Sequence, residues 1–376
     1  MGIFCRYIPR TISLGAAAKI STWMIRNLFS GFVVVLFGGF DRLFYARAMR
    51  QPVKDIVMII GQPRSGTTFF HRKLAQDSEN FLGIPHLFWR FPSITIYKLL
   101  GVLGLRDRVA KMSYWGKRNP RGQKASRMHA HLLGHVEEDG IFLEERLWLH
   151  FFMFRRIPIP ALVKHFDGYS TMTKPQRAKV LRAHERVLKK WQYLQGPEAA
   201  PRFILKENDA IDFVHDVVDY YGVKELIFLG RHPKDFMNSF FPLSIESTYA
   251  KTGIYPQEIP GWEEASLQKR YYESRRQVEL AEGFKGKVVS IRFEDFTRHT
   301  VAAFRYVYDQ LGLPFHEEFQ ASLQATENAQ KTRVRGYQHA DVRFEVGEFE
   351  AYLRYFEQIP STAPKAVKAL QRELVS

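Results

Sequence analysis

Two hydrophobic rhythms alternate along this chain. The run Val-Lys-Asp-Ile-Val-Met-Ile-Ile at 53–60 is short, β-branched and almost wholly apolar, which predicts a strand covered on both faces. Similar runs occur at 202–206, 225–230 and 287–293. Between them the apolar positions fall at helical spacing. Helices are predicted over 67–76, over 174–195 (Thr173 followed by Pro175 marks its start), over 211–221, onward from Pro233, and over 300–311, where Gly312 and Pro314 end it. Strands alternating with helices predict an α/β fold with a central, mainly parallel sheet flanked by helices. In such sheets ligands bind at the carboxyl ends of the strands. No internal repeat or low-complexity tract interrupts the pattern.

The first 50 residues read differently. They carry seven Arg and Lys residues against only Asp41, around an apolar run from Leu28 to Phe40. That run is about 13 residues long, whereas a membrane span needs roughly 20, and Gly31, Gly38 and Gly39 weaken it as a helix. The expectation is a helical arm over 1–50 appended to one domain over 51–376. The arm either lies at a membrane surface, with Trp23, Phe29 and Phe32 as anchors, or packs on the domain; an uncleaved signal anchor is a third reading.

Composition adds one strong constraint. The net charge is +16, which suits nucleic acid, an anionic lipid surface or a polyphosphorylated small molecule, or only a solvated basic surface. With Cys5 the single cysteine, an intrachain disulfide and a Cys-rich zinc site are both excluded. No Asn-x-Ser/Thr sequon occurs either, and both features lean toward the cytoplasm.

The chemistry concentrates at predicted strand ends. Gly61-Gln-Pro-Arg-Ser-Gly-Thr-Thr68 joins a strand to a helix, where backbone N–H groups and the helix N-terminus attract an anion. Arg64 adds a full charge, and Ser65, Thr67 and Thr68 add hydroxyl donors around Gly66. The spacing mimics the triphosphate-binding loop, but Thr67 stands where that loop has lysine. A second polar segment, Arg231-His-Pro-Lys-Asp-Phe-Met-Asn-Ser239, follows the 225–230 strand. Ser239 lies about 9 Å along a helix from Pro233, within reach of Arg231.

Pro-Arg-Ser-Gly-Thr-Thr after a strand resembles the 5′-phosphosulfate loop of the sulfotransferases that use 3′-phosphoadenylyl sulfate. The variant with arginine at position 64 is similar to bacterial and carbohydrate-type members. The resemblance covers roughly 53–340. It implies a P-loop sulfotransferase-like fold, 3′-phosphoadenylyl sulfate as co-substrate, the adenosine bisphosphate as product, and no metal. It also implies a 3′-phosphate clamp at Arg231 and Ser239, an adenine wall at Phe293, and a late basic contribution from Arg335 and Gly336, beside Lys331 and Arg333. Arg64 and Lys206 would stabilise the leaving side.

The base is less determined. Cytosolic members carry a histidine two residues after the lysine matched by Lys206; here Asn208 stands there and cannot take a proton. The sequence offers Glu138, Glu137 and His86, in that order of preference, each with a structural role as the alternative. The aromatic residues over 84–170, among them Trp89, Tyr97, Trp115, Trp148, Phe151 and Phe152, either line an acceptor site or form core. With the arm, they suggest a lipid-linked, aromatic or glycan hydroxyl as acceptor and peripheral contact with an anionic membrane. Two rivals stand beside this reading. A nucleotide kinase or triphosphatase would need magnesium and the missing lysine. A non-enzymatic nucleic-acid or membrane binder would show steep salt dependence, and no nucleic-acid motif supports it.

Overall fold

The computed structural model describes residues 13–114, 120–144, 146, 156–160, 168–331 and 341–363. The chain divides into two compact units, one built from 1–54, 84–199 and 241–269, the other from 55–83, 200–240 and 270–376.

The second unit holds the sheet. Its strands are β1 (Asp55–Gly61), β2 (Phe81–Leu82), β3 (Arg202–Lys206), β4 (Glu225–Gly230) and β5 (Lys287–Arg292), in the order β2-β3-β1-β4-β5. Every pairing is parallel. β1, β3 and β4 are buried along nearly their whole length, which is why their sequences are continuous apolar runs rather than alternating ones. On one face, Val57, Ile59, Ile204, Ile227 and Leu229 pack with Phe70, Phe296, Phe304 and Val307. Phe70 and Phe304 stack with ring centres 4.2 Å apart. From β1 the sheet grows to β3 and β2 on one side and to β4 and β5 on the other. The carboxyl end of β1 is therefore the switch point, flanked by Lys206 at the end of β3 and Gly230 at the end of β4.

The predicted elements of this unit appear nearly residue for residue: Thr67–Leu74, Ile211–Tyr221 and Thr300–Leu311 are helical, and Gly312 closes the last of them at φ 65°. The two-residue β2 is too short to leave a sequence pattern, and Glu317–Lys331 and Glu350–Gln358 are further helices that the sequence reading did not place.

The first unit is helical. Its longest element, Leu14–Phe44, runs unbroken for 31 residues. It thus extends well beyond the apolar run at 28–40 and is long and apolar enough to cross a membrane. Ser13 Oγ accepts the Ala16 N–H at 3.2 Å and caps its start, and Arg26 points to solvent while Asn27 is buried. Ala16, Ile20, Trp23, Asn27 and Ser30 are buried along one face at spacings of four and three, so that face packs on the unit.

Asp41 ties the far end of this helix down. Its carboxylate accepts the backbone N–H groups of Ile94 (3.1 Å) and Thr95 (2.9 Å), capping the Ile94–Val102 helix, and pairs with Lys190 Nζ at 2.8 Å. Lys190 belongs to Lys174–Gln195, the helix whose bounds the sequence predicts.

Candidate functional site

The loop after β1 is shaped by backbone geometry before any side chain acts. Gly66 has φ 77°, and a Cβ there would lie 2.3 Å from Phe296 Cζ, so only glycine fits. Arg64 adopts φ 72°, the one positive-φ non-glycine residue among the described residues. Such conformations cost of order 1–3 kcal/mol and persist where surrounding structure imposes them. Here the surroundings are explicit. Gln62 is buried and donates to Gln277 Oε1 at 3.0 Å, Gln277 donates to the Gly61 carbonyl at 3.2 Å, and Arg270 donates to Gln62 Oε1 at 3.3 Å. Arg270 also pairs with Asp209 at 2.6 Å, both groups being buried. This polar network under the loop has no local sequence motif, because its members come from 62, 209, 270 and 277.

The two polar segments singled out in the sequence meet in this unit. Arg64 Nε donates to Ser239 Oγ at 2.9 Å, and Arg231 Nη1 donates to the Arg64 carbonyl at 2.6 Å. Residues 167 positions apart are thereby clasped at the ends of β1 and β4. Arg231 also lies over the Phe293 ring, 4.2 Å from its centre, so one face of that ring carries a cation. Lys206, fully buried at the end of β3, donates to Thr68 Oγ1 at 3.3 Å. Its charge reaches His71, one turn into the loop's helix. Burial, then Lys206, pushes the His71 imidazole down to about 3, and its Nε2 lies 3.0 Å from the Ile204 carbonyl. Gly66, Ser65, Thr67 and Thr68 thus stand beside Arg64, Lys206 and Arg231 at the carboxyl ends of β1, β3 and β4. These donors suit a compact, multiply charged anion.

The first unit holds a second polar cluster. His131 Nε2 lies 2.7 Å from His86 Nδ1 and 3.7 Å from Glu137 Oε1. All three side chains are buried, and no hydrogen-bond partner reaches His86 Nε2. Burial, then the neighbouring His131, pushes the His86 imidazole well below its ordinary value, so the ring is neutral at pH 7. Donor atoms of His129, His131 and Glu137 also lie within 4.8 Å of one another, near enough to share a cation. The close contact of His131 Nε2 with His86 means that the same nitrogen is already engaged in a hydrogen-bonded pair.

The remaining sequence candidates separate. Glu138 is half-buried, and Asp139 is buried against His184 at 3.3 Å. Trp89 is core, its indole N–H donating to the Glu137 carbonyl at 3.1 Å. Lys331 is exposed and pairs with Glu327 at 4.0 Å. Arg333, Arg335, Gly336, Trp115, Trp148, Phe151 and Phe152 lie outside the described residues. Sequence reasoning missed His131. It is separated from His86 by 45 positions, and nothing in the intervening stretch signals the pairing.

Comparison with known proteins bears on the whole arrangement. A family model described as "Sulfotransferase family" matches residues 56–317. Among solved structures, sulfotransferase STF9 from Mycobacterium avium is similar over 87% of this chain and 82% of its own, at 14% identity and a TM-score of 0.63. Sulfotransferase STF1 from Mycobacterium tuberculosis is similar over 86% and 83%, at 13% identity and a TM-score of 0.56. At these identities the likeness is one of fold. No curated protein sequence matches the chain.

Proposed function

This chain belongs to the sulfotransferase family, and on that premise we propose that it draws its sulfuryl group from 3′-phosphoadenylyl sulfate and passes it to the hydroxyl of a small-molecule acceptor. The observation that carries the donor assignment is the clasp of Arg64 on Ser239 and of Arg231 on the Arg64 carbonyl. It places two cation-bearing segments side by side, as a nucleotide with phosphate at both ends requires. The loop fits such a donor: Gly66 admits no side chain, and Arg64, Ser65, Thr67 and Thr68 offer charge and hydroxyls to its 5′ end. Arg231 and Ser239 are assigned to the 3′-phosphate and Phe293, beside Arg231, to the adenine. Arg335 and Gly336 are assigned to the same phosphate on the family pattern alone.

In the reaction the acceptor oxygen forms a bond to sulfur while the bond from sulfur to the bridging phosphate oxygen breaks. The hydroxyl proton passes to a base, and the bisphosphate departs with the electron pair. Arg64 and Lys206 neutralise the charge developing on it. For the base, His86 has the strongest chemistry of the three candidates: a neutral ring with one nitrogen held by His131 and the other without a partner. Glu137 serves best as the carboxylate beside His131, and Glu138 remains the alternative base.

The outer face of Leu14–Phe44 supports contact with a membrane. Leu28, Phe29, Phe32, Val35 and Leu43 are each 64–76% exposed, opposite the face packed on the unit. A helix packed along one side and bare along the other lies in the interface plane. This contact favours a lipid-linked acceptor.

The donor assignment is tested by thermal unfolding with adenosine 3′,5′-bisphosphate against ATP with magnesium. Stabilisation by the bisphosphate alone, lost in Arg231→Ala, is the expected result. Equal stabilisation by ATP with magnesium, or an Arg231→Ala variant that responds as the parent does, would overturn it.

A further inference from the structure

Beyond β5 the chain of the second unit returns to the sheet. Its helix Glu350–Gln358 lies past the residues that the family model matches, 56–317. Contacts along its length tie it down. The Tyr355 and Ser290 hydroxyls are 2.9 Å apart, Arg292 Nη2 donates to the Glu357 carbonyl at 2.8 Å, and the Thr362 N–H donates to Asp295 at 2.7 Å. The approach is close. A Cβ at Gly230, the last residue of β4, would lie 2.6 Å from Ile359 Cδ1 and 3.0 Å from Phe356 Cδ2.

One side chain of this helix reaches the segment assigned to the 3′-phosphate. Tyr352 is 1% exposed, with its ring set among Phe228, Phe236 and Phe349. Its hydroxyl accepts from the Arg231 N–H at 3.3 Å and donates to the Arg231 carbonyl at 3.3 Å. Both bonds fall just past Gly230, where the pairing of β4 with β5 ends and buried peptide groups need partners from elsewhere. Burial raises the pKa of the Tyr352 phenol, so it keeps the proton that the second bond requires. Ser65 Oγ of the phosphate loop is also buried. It stands near enough to the phenol to ease its ionisation, and it makes no hydrogen bond among the described residues.

A phenylalanine would fill the same space among the same rings. The hydroxyl adds a hold on the Arg231 peptide groups, and these set the direction in which the guanidinium leaves the strand. That guanidinium donates to the Arg64 carbonyl at 2.6 Å and covers the Phe293 ring. We propose that Tyr352 is a positioning residue of the donor site: by fixing the Arg231 peptide, its hydroxyl sets how strongly the site prefers a nucleotide that carries a 3′-phosphate. The proposal rests on the assignment of Arg231 to that phosphate and adds the residue that aims it.

The test is calorimetric titration of the full chain with adenosine 3′,5′-bisphosphate and with adenosine 5′-monophosphate, which lacks the 3′-phosphate. Wild type should bind the bisphosphate at least about tenfold more tightly, as a hydrogen-bonded charged group implies. Tyr352→Phe, which keeps the ring, should shrink that ratio by about tenfold while affinity for the monophosphate falls less. Tyr355→Phe removes a hydroxyl of the same helix that lies against Ser290 instead, and it should keep the wild-type ratio. An unchanged ratio in Tyr352→Phe would overturn the proposal, and equal weakening of both ligands would reduce Tyr352 to packing. A ratio lost in Tyr355→Phe as well would assign the effect to the seating of the helix and overturn it too. Wild type with no preference for the bisphosphate would strike the donor assignment itself, and the proposal with it.

Discussion

The proposed donor cradle and the His86–His131–Glu137 cluster are both largely buried polar groupings, yet they are assembled in opposite ways. The cradle takes most of its groups from two short continuous segments at the ends of neighbouring strands, Gly61 to Thr68 and Arg231 to Ser239. The cluster takes single side chains from distant positions and joins them through one nitrogen of His131. A strand end fixes several donors at once, so a cradle of this kind tolerates little drift. A cluster of single side chains depends on the packing of each separate segment. The contrast predicts that substitutions in the cradle act on charge stabilisation, whereas those in the cluster act on proton transfer.

The largest effect is expected at Lys206. It is fully buried beside Thr68, and its proposed role is to meet charge on the departing bisphosphate. Lys206→Ala should lower kcat by about 10²–10³ fold, the usual consequence of removing a donor aimed at developing charge. Single-turnover kinetics with saturating donor would read this directly. A kcat within threefold of the parent would remove Lys206 from the cradle's chemistry.

Next in size is a stability effect in the first unit. Asp41→Asn removes a buried carboxylate that caps one helix and neutralises Lys190. Burial alone would raise the pKa of Asp41, but the hydrogen bond and charge of Lys190 and the donors of Thr95 outweigh it and lower the pKa. Removing one partner of such a pair costs about 3 kcal/mol. Denaturant unfolding should show that loss, with bisphosphate binding unchanged in whatever protein remains folded. A cost near zero would mean that Leu14–Phe44 is held without its anchor.

His86→Gln should reduce kcat about 100-fold with little change in donor affinity, as loss of a general base does. The companion variant His131→Gln distinguishes a base held in position from a packed ring. It removes the neighbouring charge that, after burial, most depresses His86. The acid limb of the kcat/KM profile should therefore move to higher pH. An unmoved limb would leave His131 a packing residue and return the base assignment to Glu138.

The same contrast explains what the sequence disclosed. Four of the five strands, five helices and the contact between the two polar segments were legible because each is written in consecutive residues: a β-branched run, a capped amphipathic period, a Gly-rich turn. The unbroken Leu14–Phe44 helix was not, because Arg26 and Asn27 look like a boundary unless it is known that one faces solvent and the other the unit. The two rings of the His86–His131 contact were hidden for a related reason. They are neighbours only after the chain between them has packed. The network at Gln62, Asp209, Arg270 and Gln277 belongs with them: it holds a legible loop by illegible means.

The smallest effect tests whether the cradle's charge is felt inside the sheet unit. His71 is buried, and its pKa is lowered from 6.5 to about 3, first by burial and then by Lys206. Between those values the unfolded chain holds a proton that the folded state does not. Stability should therefore fall as pH drops from 6.5 toward 3, by about 1.4 kcal/mol per pH unit for this group. His71→Gln keeps an N–H able to reach the Ile204 carbonyl but cannot titrate, so its stability should be flatter by that slope. Because buried His86 gives the helical unit an acid sensitivity of the same sign, a global melting curve would mix the two. Amide exchange in β1 and β3 at pH 6.5 and pH 5.5 isolates the sheet unit. Protection that declines equally in wild type and His71→Gln would show that His71 is not the group through which acid loosens the cradle's floor.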